Sequence, residues 1–335
     1  MKQSVYTLYI LTIALFISCS QKSVKWELRP PAGVKKEIIA IDTMSLRNPF
    51  IYLDKENLVY YMTGDNGYLW TSKNMRQWCG PYNILEFDST LCKGEAPYIE
   101  SPEIHKHKNR YYYIATFTCS NNITGAIGRQ EKPRRSLHIF VSDSIQGPYK
   151  PLKEDFPILE ADRAIRGATF FSDKSDYGYL IYCNDYTTHQ QGNVQVTMLS
   201  KDIDAQYGEP YTIIAAANKK WKEDYNSNKE AIDGPFVFRT EGGWDGILFA
   251  TEYNGEGAVG VAYSSEGGGL NGPWNIEPEP MIKGGYGQAM LFNDFDGTQL
   301  MVLHKEVTIN GEKKYRPQIF EVDNQYERLI IKKQL

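Results

Sequence analysis

One pattern returns four times along the sequence: a strand ending in serine, a polar turn, and then glycine, proline and an aromatic residue. The copies lie at residues 68–82, 138–149, 195–211 and 261–274. Each copy follows two short runs of aromatic and aliphatic residues, such as 48–53 and 58–63 ahead of the first. Runs of this kind, bounded by turn residues, predict strands. Because long amphipathic helical patterns are absent, the sequence predicts an all-β fold built from one repeated unit.

A fifth unit has strand-like runs but lacks the Gly-Pro-aromatic signature, so it is interpreted as degenerate. Its runs lie at 288–294, 299–305 and 317–323. Radial repetition of small antiparallel sheets limits exposed sheet edges, which favours a propeller. A two-sheet sandwich would need fewer strands and would not explain the regular return of the signature. We therefore predict a single five-bladed β-propeller over residues 45–335.

The first strand of each propeller unit is expected to lie nearest the central axis. Its opening residues would then face a funnel, which is the default ligand site of such a fold. These positions are Asn48, residues 101–103, Arg166, Asp233 and residues 287–288.

The N-terminus predicts export. Lys2 precedes an apolar stretch over residues 6–17 and then small residues, which is the composition of a secretory signal. The apolar core is too short to span a bilayer as a mature helix. The string FISC resembles a lipobox, so residues 1–18 are predicted to be a signal peptide and residues 19–44 a tether that carries lipid on Cys19. The alternative is an ordinary signal peptide with a chance cysteine.

These features predict an exported lipoprotein, on the outer membrane or the periplasmic face, that touches the membrane only through its lipid. The formal net charge is −4, so no basic excess points to nucleic acid. Four further cysteines, at positions 79, 92, 119 and 183, fit no zinc motif. In an exported protein Cys79 could form a disulfide with Cys92. The sequence agrees equally well with cysteines that are isolated buried thiols.

The blade openings resemble a known family when they are taken in order. They read NPF (48–50), SPEIH (101–105), RGATFF (166–171), DGPFVFR (233–239) and GGYGQAMLF (284–292), followed by LHK and YRPQIFEVD. This series resembles glycoside hydrolase family 43, whose members are five-bladed propellers, largely arabinofuranosidases, xylosidases and arabinanases. The resemblance implies an oligosaccharide or polysaccharide ligand, a monomer, and no required cofactor, and it allows a structural calcium ion near His304. The other interpretation of His304 is a satisfied core histidine.

The resemblance also implies three catalytic carboxylates, two of which are replaced. Inversion needs a base that deprotonates water and an acid that protonates the leaving oxygen, about 6.5–9.5 Å apart. The base position, in an Arg-Asp-Pro motif of the family, is Asn48 here, and an amide cannot usefully accept the proton. The blade-three carboxylate that tunes pKa values is Arg166. The acid position is kept as Asp233, whose pKa a neighbouring Arg166 is expected to lower.

Further substrate-binding positions follow from the same resemblance. Glu100 and Glu103 lie in the blade-two motif, where an aromatic residue of the family pattern is missing. Tyr286 stands where family variants have histidine, Gln288 opens blade five, and Arg316 matches the family.

Three functions remain open from the sequence. The first is an inverting glycosidase, acting on arabinose-, xylose- or galactose-containing glycans, in which Glu100, Glu103 or Asp162 has become the base. The second is a sugar-binding propeller that no longer hydrolyses, with Arg163 and Arg166 favouring acidic or sulfated glycans. The third is a propeller used for protein contacts, or a relative from another five-bladed hydrolase or phosphorylase family.

Overall fold

Five antiparallel sheets, each formed by one continuous stretch of chain, make up the protein. The computed structural model describes residues 27–87, 96–119, 134–153, 158–159, 165–172, 177–184, 192–221, 231–264 and 269–335. The sheets are the blades of a five-bladed β-propeller, so the predicted all-β fold class and blade number are confirmed.

Blade one has the order β1-β5-β4-β3-β2. Its strands are β1 (Glu37–Ala40), β2 (Phe50–Asp54), β3 (Val59–Thr63), β4 (Leu69–Ser72) and β5 (Gln77–Tyr82). Blade two runs in chain order through β6 (Tyr98–His107), β7 (Arg110–Cys119), β8 (Arg134–Ser142) and β9 (Lys150–Pro151). Blade three runs through β10 (Ile165–Ser172), β11 (Gly178–Asn184), β12 (Val194–Leu199) and β13 (Gln206–Ile214).

Blades four and five follow the same plan. Blade four contains β14 (Asp233–Arg239), β15 (Asp245–Tyr253), β16 (Glu256–Ser264) and β17 (Trp274–Ile276), with the short β18 (Ile282–Lys283) beside β16. Blade five contains β19 (Tyr286–Asn293), β20 (Gln299–Ile309), β21 (Glu312–Asn324) and β22 (Leu329–Gln334). Among the described residues, single-turn 3₁₀ helices cover Ala216–Asn218 and Gly269–Asn271.

The structure differs from the sequence interpretation in the completeness of the fifth unit and in the start of blade one. The fifth unit is not degenerate, because it has four strands and a long β20–β21 hairpin. The stretch Glu37–Ala40, placed in the tether by the sequence, pairs with β5 as the outermost strand of blade one. Cys19 and the predicted signal segment lie outside the described residues. No helix within the described residues is long and apolar enough to cross a membrane.

The hydrophobic core is divided among the five interfaces between neighbouring blades. Side chains of alternate residues on facing sheets interdigitate there, as in the cluster of Ile181 and Val196 from blade three with Ile247 and Phe249 from blade four. All four of these side chains have 0% exposure. Because each cluster needs both blades, the aromatic-rich strands are buried only when the ring is complete.

The ring closes between blades five and one by packing and hydrogen bonds. Met62 of blade one packs in one cluster with Val302 of blade five. The backbone N–H of Leu46 donates to the Tyr315 carbonyl at 2.9 Å. Arg316 donates to the Thr43 and Met44 carbonyls, so its guanidinium joins blade five to the segment that enters blade one.

Of the two alternatives left open for Cys79, the pairing with Cys92 is wrong and the free thiol is confirmed. Cys79 is a free thiol, 3.2 Å from the Tyr82 hydroxyl, and Cys183 is free and fully buried. Cys119 is disulfide-bonded, so its partner is neither of these two. Cys92 lies outside the described residues.

Candidate functional site

One residue in each blade adopts a left-handed backbone conformation where the innermost strand begins. These residues are Asn48 (φ 53°), Ser101 (φ 51°), Gly167 (φ 72°), Gly234 (φ 49°) and Gln288 (φ 25°). In blades two to five the strand pairing shifts register at the same place. Bulges of this kind re-aim side chains near functional sites, and a left-handed Ser or Gln is strained.

These five residues meet at the propeller axis. Asn48 Nδ2 donates to Ser101 Oγ at 3.1 Å, and Ser101 Oγ donates to Gln288 Oε1 at 2.6 Å. A Cβ added to Gly167 would lie 2.7 Å from the Gly234 Cα, so this approach of two backbones requires glycine. The ring forms the floor of a cavity.

The axial cavity has a volume of about 440 Å³ and is lined mainly by polar side chains of blades one, three, four and five. Its charged and hydrogen-bonding side chains are Arg47, Asn48, Arg166, Asp233, Thr251, Glu252, Glu256, Tyr286, Gln288, His304, Glu306, Thr308, Lys313 and Tyr315. The structure thus brings together Asn48, Arg166, Asp233, Tyr286 and Gln288 from the sequence-predicted set.

Asp233 faces Arg166 across this cavity floor. Arg166 Nε lies 3.4 Å from Asp233 Oδ2. Burial raises the pKa of Asp233, while the Arg166 and Arg47 guanidiniums oppose the rise. The expected lowering by Arg166 therefore exists, but burial outweighs it. A carboxyl whose pKa is raised is suited to hold a proton, as a general acid must.

Asn48 is fixed by three hydrogen bonds. Its backbone N–H donates to His304 Nδ1 at 3.1 Å, and its amide nitrogen donates to Ser101 Oγ and to Asp65 Oδ1, at 3.1 and 2.9 Å. Both donors of the amide are therefore used, which leaves its carbonyl oxygen as the polar atom for a ligand or water in the cavity.

His304 is neutral in this environment. Burial, with a smaller contribution from Arg47, lowers the pKa of His304 to about 3. Because Nδ1 accepts the Asn48 backbone N–H, the ring proton resides on Nε2. Among the described residues no group of three His, Cys, Asp or Glu side chains could hold a metal ion.

Asp65 is the carboxylate that sequence reasoning missed. It is 3% exposed and lies behind Asn48, where it also accepts hydrogen bonds from the Ser101 N–H (2.9 Å) and the Tyr98 hydroxyl (3.0 Å). Burial raises the pKa of Asp65 to about 6, against the lowering effect of Arg47 at 3.5 Å. The base position thus holds an amide with a carboxylate one layer behind it. The sequence Thr63–Gly67 indicates only a turn.

Arg47 and Tyr315 line the cavity, although the sequence interpretation assigned neither of them to the site. The Arg47 guanidinium lies 5.4 Å from the Tyr315 ring centre, a cation–π arrangement that orients it at the cavity. Their neighbour Arg316 was predicted to bind substrate, but it does not line the cavity. Alternate residues of a strand face opposite sides, so Tyr315 faces inward and Arg316 is directed at Thr43 and Met44.

The two blade-two glutamates also lie outside the cavity lining. Glu100 accepts hydrogen bonds from Thr118 Oγ1 (2.5 Å) and Arg135 Nε (3.3 Å). Glu103 is buried in the wall with His105 Nε2 at 2.7 Å, and burial raises its pKa. Asp162 and Arg163 lie outside the described residues.

The protein is thus a five-bladed propeller whose axial cavity holds the Asp233 carboxyl and the Arg47 and Arg166 guanidiniums. The chain matches the family Glycosyl hydrolases family 43 over residues 40–320, and it therefore belongs to that family. No curated protein matches the sequence.

Solved structures agree with this assignment. An endo-arabinase from Bacteroides thetaiotaomicron is 25% identical with a TM-score of 0.71, over 85% of this chain and 96% of that one. An endo-1,4-beta-xylanase from the same organism is 16% identical with a TM-score of 0.68, over 89% and 97%. An exo-1,5-alpha-L-arabinanase from a bovine ruminal metagenomic library is 15% identical with a TM-score of 0.66, over 89% and 99%. The last two establish the fold alone.

Proposed function

We propose that the axial cavity binds an oligosaccharide of an arabinose-, xylose- or galactose-containing glycan, and that inverting hydrolysis by the family mechanism is impaired. Family membership and the similarity to an endo-arabinase support the ligand class. The observation that carries the loss of hydrolysis is the Asn48 amide, which donates to Asp65 and Ser101 at the base position. An amide held in this way can orient a water molecule but cannot take its proton.

The other carboxylates that line the cavity are poorly placed to replace that base. An inverting base must act on the face of the sugar opposite the acid. Among the described residues, Glu252 and Glu256 belong to blade four, the blade of Asp233 itself. Glu306, on blade five, is bound by Lys313 at 2.8 Å. Asp65 lies behind Asn48 and does not line the cavity.

A working glycosidase is the second candidate, and the environment of Asp233 favours it. Burial raises the pKa of this carboxyl even beside Arg166, which supports Asp233 as the general acid of the family mechanism. Activity would then require another base.

Calorimetry together with product analysis separates the two candidates. The purified protein is titrated with arabino-, xylo- and galacto-oligosaccharides, and long incubations are analysed for released sugars. We expect binding without release, weakened in Asp233→Ala. Asp143→Ala is the matched control, because it removes a carboxylate whose side chain is 88% exposed on blade two. Sugar release that Asp233→Ala abolishes would establish the second candidate. Absence of binding to every oligosaccharide would overturn the proposal.

The two arginines at the floor also support an acidic ligand. Arg47 and Arg166 both line the cavity, and guanidinium groups bind carboxylate and sulfate groups in a bidentate manner. We expect oligosaccharides with a uronic acid to bind more tightly than neutral ones of equal length, and Arg166→Gln to reduce the difference. If only neutral oligosaccharides bind, the acidic ligand is wrong while the sugar-binding function stands.

The composition of the N-terminus supports a proposal for the cellular location. We propose an exported monomer held at the membrane by lipid on Cys19, which would place the cavity where extracellular or periplasmic glycans pass. Incorporation of labelled palmitate by the natural protein, but not by Cys19→Ala, is the expected result. Equal labelling of both proteins would contradict it.

A further inference from the structure

A second cavity lies at the end of the propeller opposite the axial cavity, between blades four and five. Its volume is about 680 Å³. We call it the basal groove, and it is lined chiefly by Trp244, Tyr263, Asn275, Glu277, Tyr326 and Arg328. β14 leaves the axial cavity at Asp233 and ends at Arg239, just before the turn that carries Trp244. Seven strand residues separate the two sites by about 20 Å.

The walls of the basal groove are fixed to each other. The Tyr326 carbonyl accepts hydrogen bonds from the Gly242 N–H (3.0 Å) and Thr240 Oγ1 (2.9 Å). The Leu329 N–H donates to the Tyr263 hydroxyl at 2.9 Å. A Cβ at Gly242 would lie 2.3 Å from the Tyr326 carbonyl oxygen, so the close contact of the two turns requires glycine there. A ligand would therefore enter a preformed groove and would not have to order it.

The groove combines aromatic surface with hydrogen-bonding groups. Tyr326 is 60% exposed, and Trp244 is partly exposed beside it. An aromatic side chain with a polar end, such as Tyr326, suits a ligand that is apolar on one face and wet on the other, which describes a sugar ring. Trp244 adds ring surface only, because its Nε1 is buried. Asn275, Glu277 and Arg328 supply donors and acceptors for hydroxyl groups. The lining carries two carboxylates, Glu277 and Glu327, and one guanidinium, Arg328, so it disfavours an anionic ligand. The abundance of hydrogen-bonding groups suits the hydroxyls of a neutral sugar.

We propose that the basal groove binds a neutral sugar residue of a polysaccharide, as a second carbohydrate site separate from the axial cavity. The sugar ring lies against Tyr326 and Trp244, and its hydroxyls bond to the polar side chains. A protein with two such sites at opposite ends holds a long glycan more firmly than a short one, because the second contact is intramolecular.

The test is retardation of the natural protein and its variants in native gels containing arabinan, xylan or galactan. We expect Tyr326→Ala to weaken retardation about 2- to 10-fold, the loss of one aromatic contact. Tyr207→Ala is the matched control, because Tyr207 is 61% exposed on blade three, away from the groove. Arg328→Gln provides a second variant, and thermal unfolding confirms that each variant is folded.

Calorimetry with short oligosaccharides makes the two sites distinguishable. Asp233→Ala should weaken binding in the axial cavity and leave the Tyr326-dependent retardation in place. The groove proposal is overturned if no polysaccharide retards the natural protein. It is also overturned if Tyr326→Ala and Arg328→Gln migrate as the natural protein does, or if Tyr207→Ala causes an equal loss. Because Tyr326→Ala and Arg328→Gln leave the axial cavity intact, a loss of retardation in these variants reports on the basal groove and not on the proposed sugar binding in the axial cavity.

Discussion

Asn48→Asp, the substitution that restores the family's base residue, should place two carboxylates in contact. Asn48 Nδ2 lies 2.9 Å from Asp65 Oδ1, and an oxygen would replace that nitrogen. Two full charges at this separation repel by about 6 kcal/mol at an effective dielectric constant of about 20. The repulsion is avoided if Asp65 keeps a proton. Because the pKa of Asp65 is already about 6, holding that proton at pH 7 costs about 1.4 kcal/mol of folding free energy.

The cost depends on pH in a defined direction. A second carboxylate raises the pKa of the pair further above the value of an unfolded aspartate. The folded state then binds more protons than the unfolded state, so stability falls as pH rises from about 4 through 6 and above. We expect Asn48→Asp to lower the free energy of unfolding by about 1–2 kcal/mol at pH 7.5 and by little at pH 4.5.

Urea unfolding of four proteins tests this reasoning: the natural protein, Asn48→Asp, Asp65→Asn and the double variant. The double variant moves the carboxylate to the cavity without creating a pair, so the added cost at pH 7.5 should disappear. Asn57→Asp is the matched control, because Asn57 Nδ2 lies 2.8 Å from Asp54 Oδ2 but is exposed to solvent. Its cost should stay below about 1 kcal/mol.

The reasoning is wrong if Asn48→Asp lowers the free energy of unfolding equally at both pH values. It is also wrong if adding Asp65→Asn to Asn48→Asp does not restore that free energy at pH 7.5. If hydrolysis can be restored, the double variant combined with Arg166→Asp is the protein in which we expect it. Sugar release by that protein, but not by the natural one, is the expected result.

Three further predictions concern the ring and the cavity floor. Arg316→Ala should lower the free energy of unfolding by about 1–3 kcal/mol, since hydrogen bonds from a charged donor to backbone carbonyls are lost, and should leave oligosaccharide affinity unchanged by calorimetry. Arg166→Gln should raise the pKa of Asp233 further, because the guanidinium lowers it, and carboxyl resonances followed by NMR titration should move to higher pH. Gly167→Ala should destabilise the protein by more than Gly208→Ala in urea unfolding. Both have φ above 70°, but only at Gly167 would a Cβ meet backbone of another blade.

Much of the fold can be read from the sequence because its cause is local. Strand length, turn residues and the Gly-Pro-aromatic signature repeat in each unit, and five such units can protect their edges only by closing into a ring. The sequence interpretation takes the fifth unit as degenerate because the β20–β21 hairpin carries lysines and glutamates and is only partly buried. These strands form by pairing with each other, and the hydrophobic pattern of the sequence does not reveal that pairing.

For the candidate site, sequence and tertiary structure determined different things. The sequence by itself determined the five blade openings, the amide at Asn48, the cation at Arg166 and the retained carboxyl at Asp233. Only the tertiary structure decided which neighbours face the axis, because strand alternation and register shifts direct Tyr315 into the cavity and Arg316 away from it.

Burial, too, was decided by the tertiary structure alone. It reversed the expected direction of the Asp233 pKa, and it placed Asp65 behind Asn48 through a contact between residues 17 positions apart. Desolvation depends on the whole surrounding protein, whereas a motif records only which residues are neighbours in the chain.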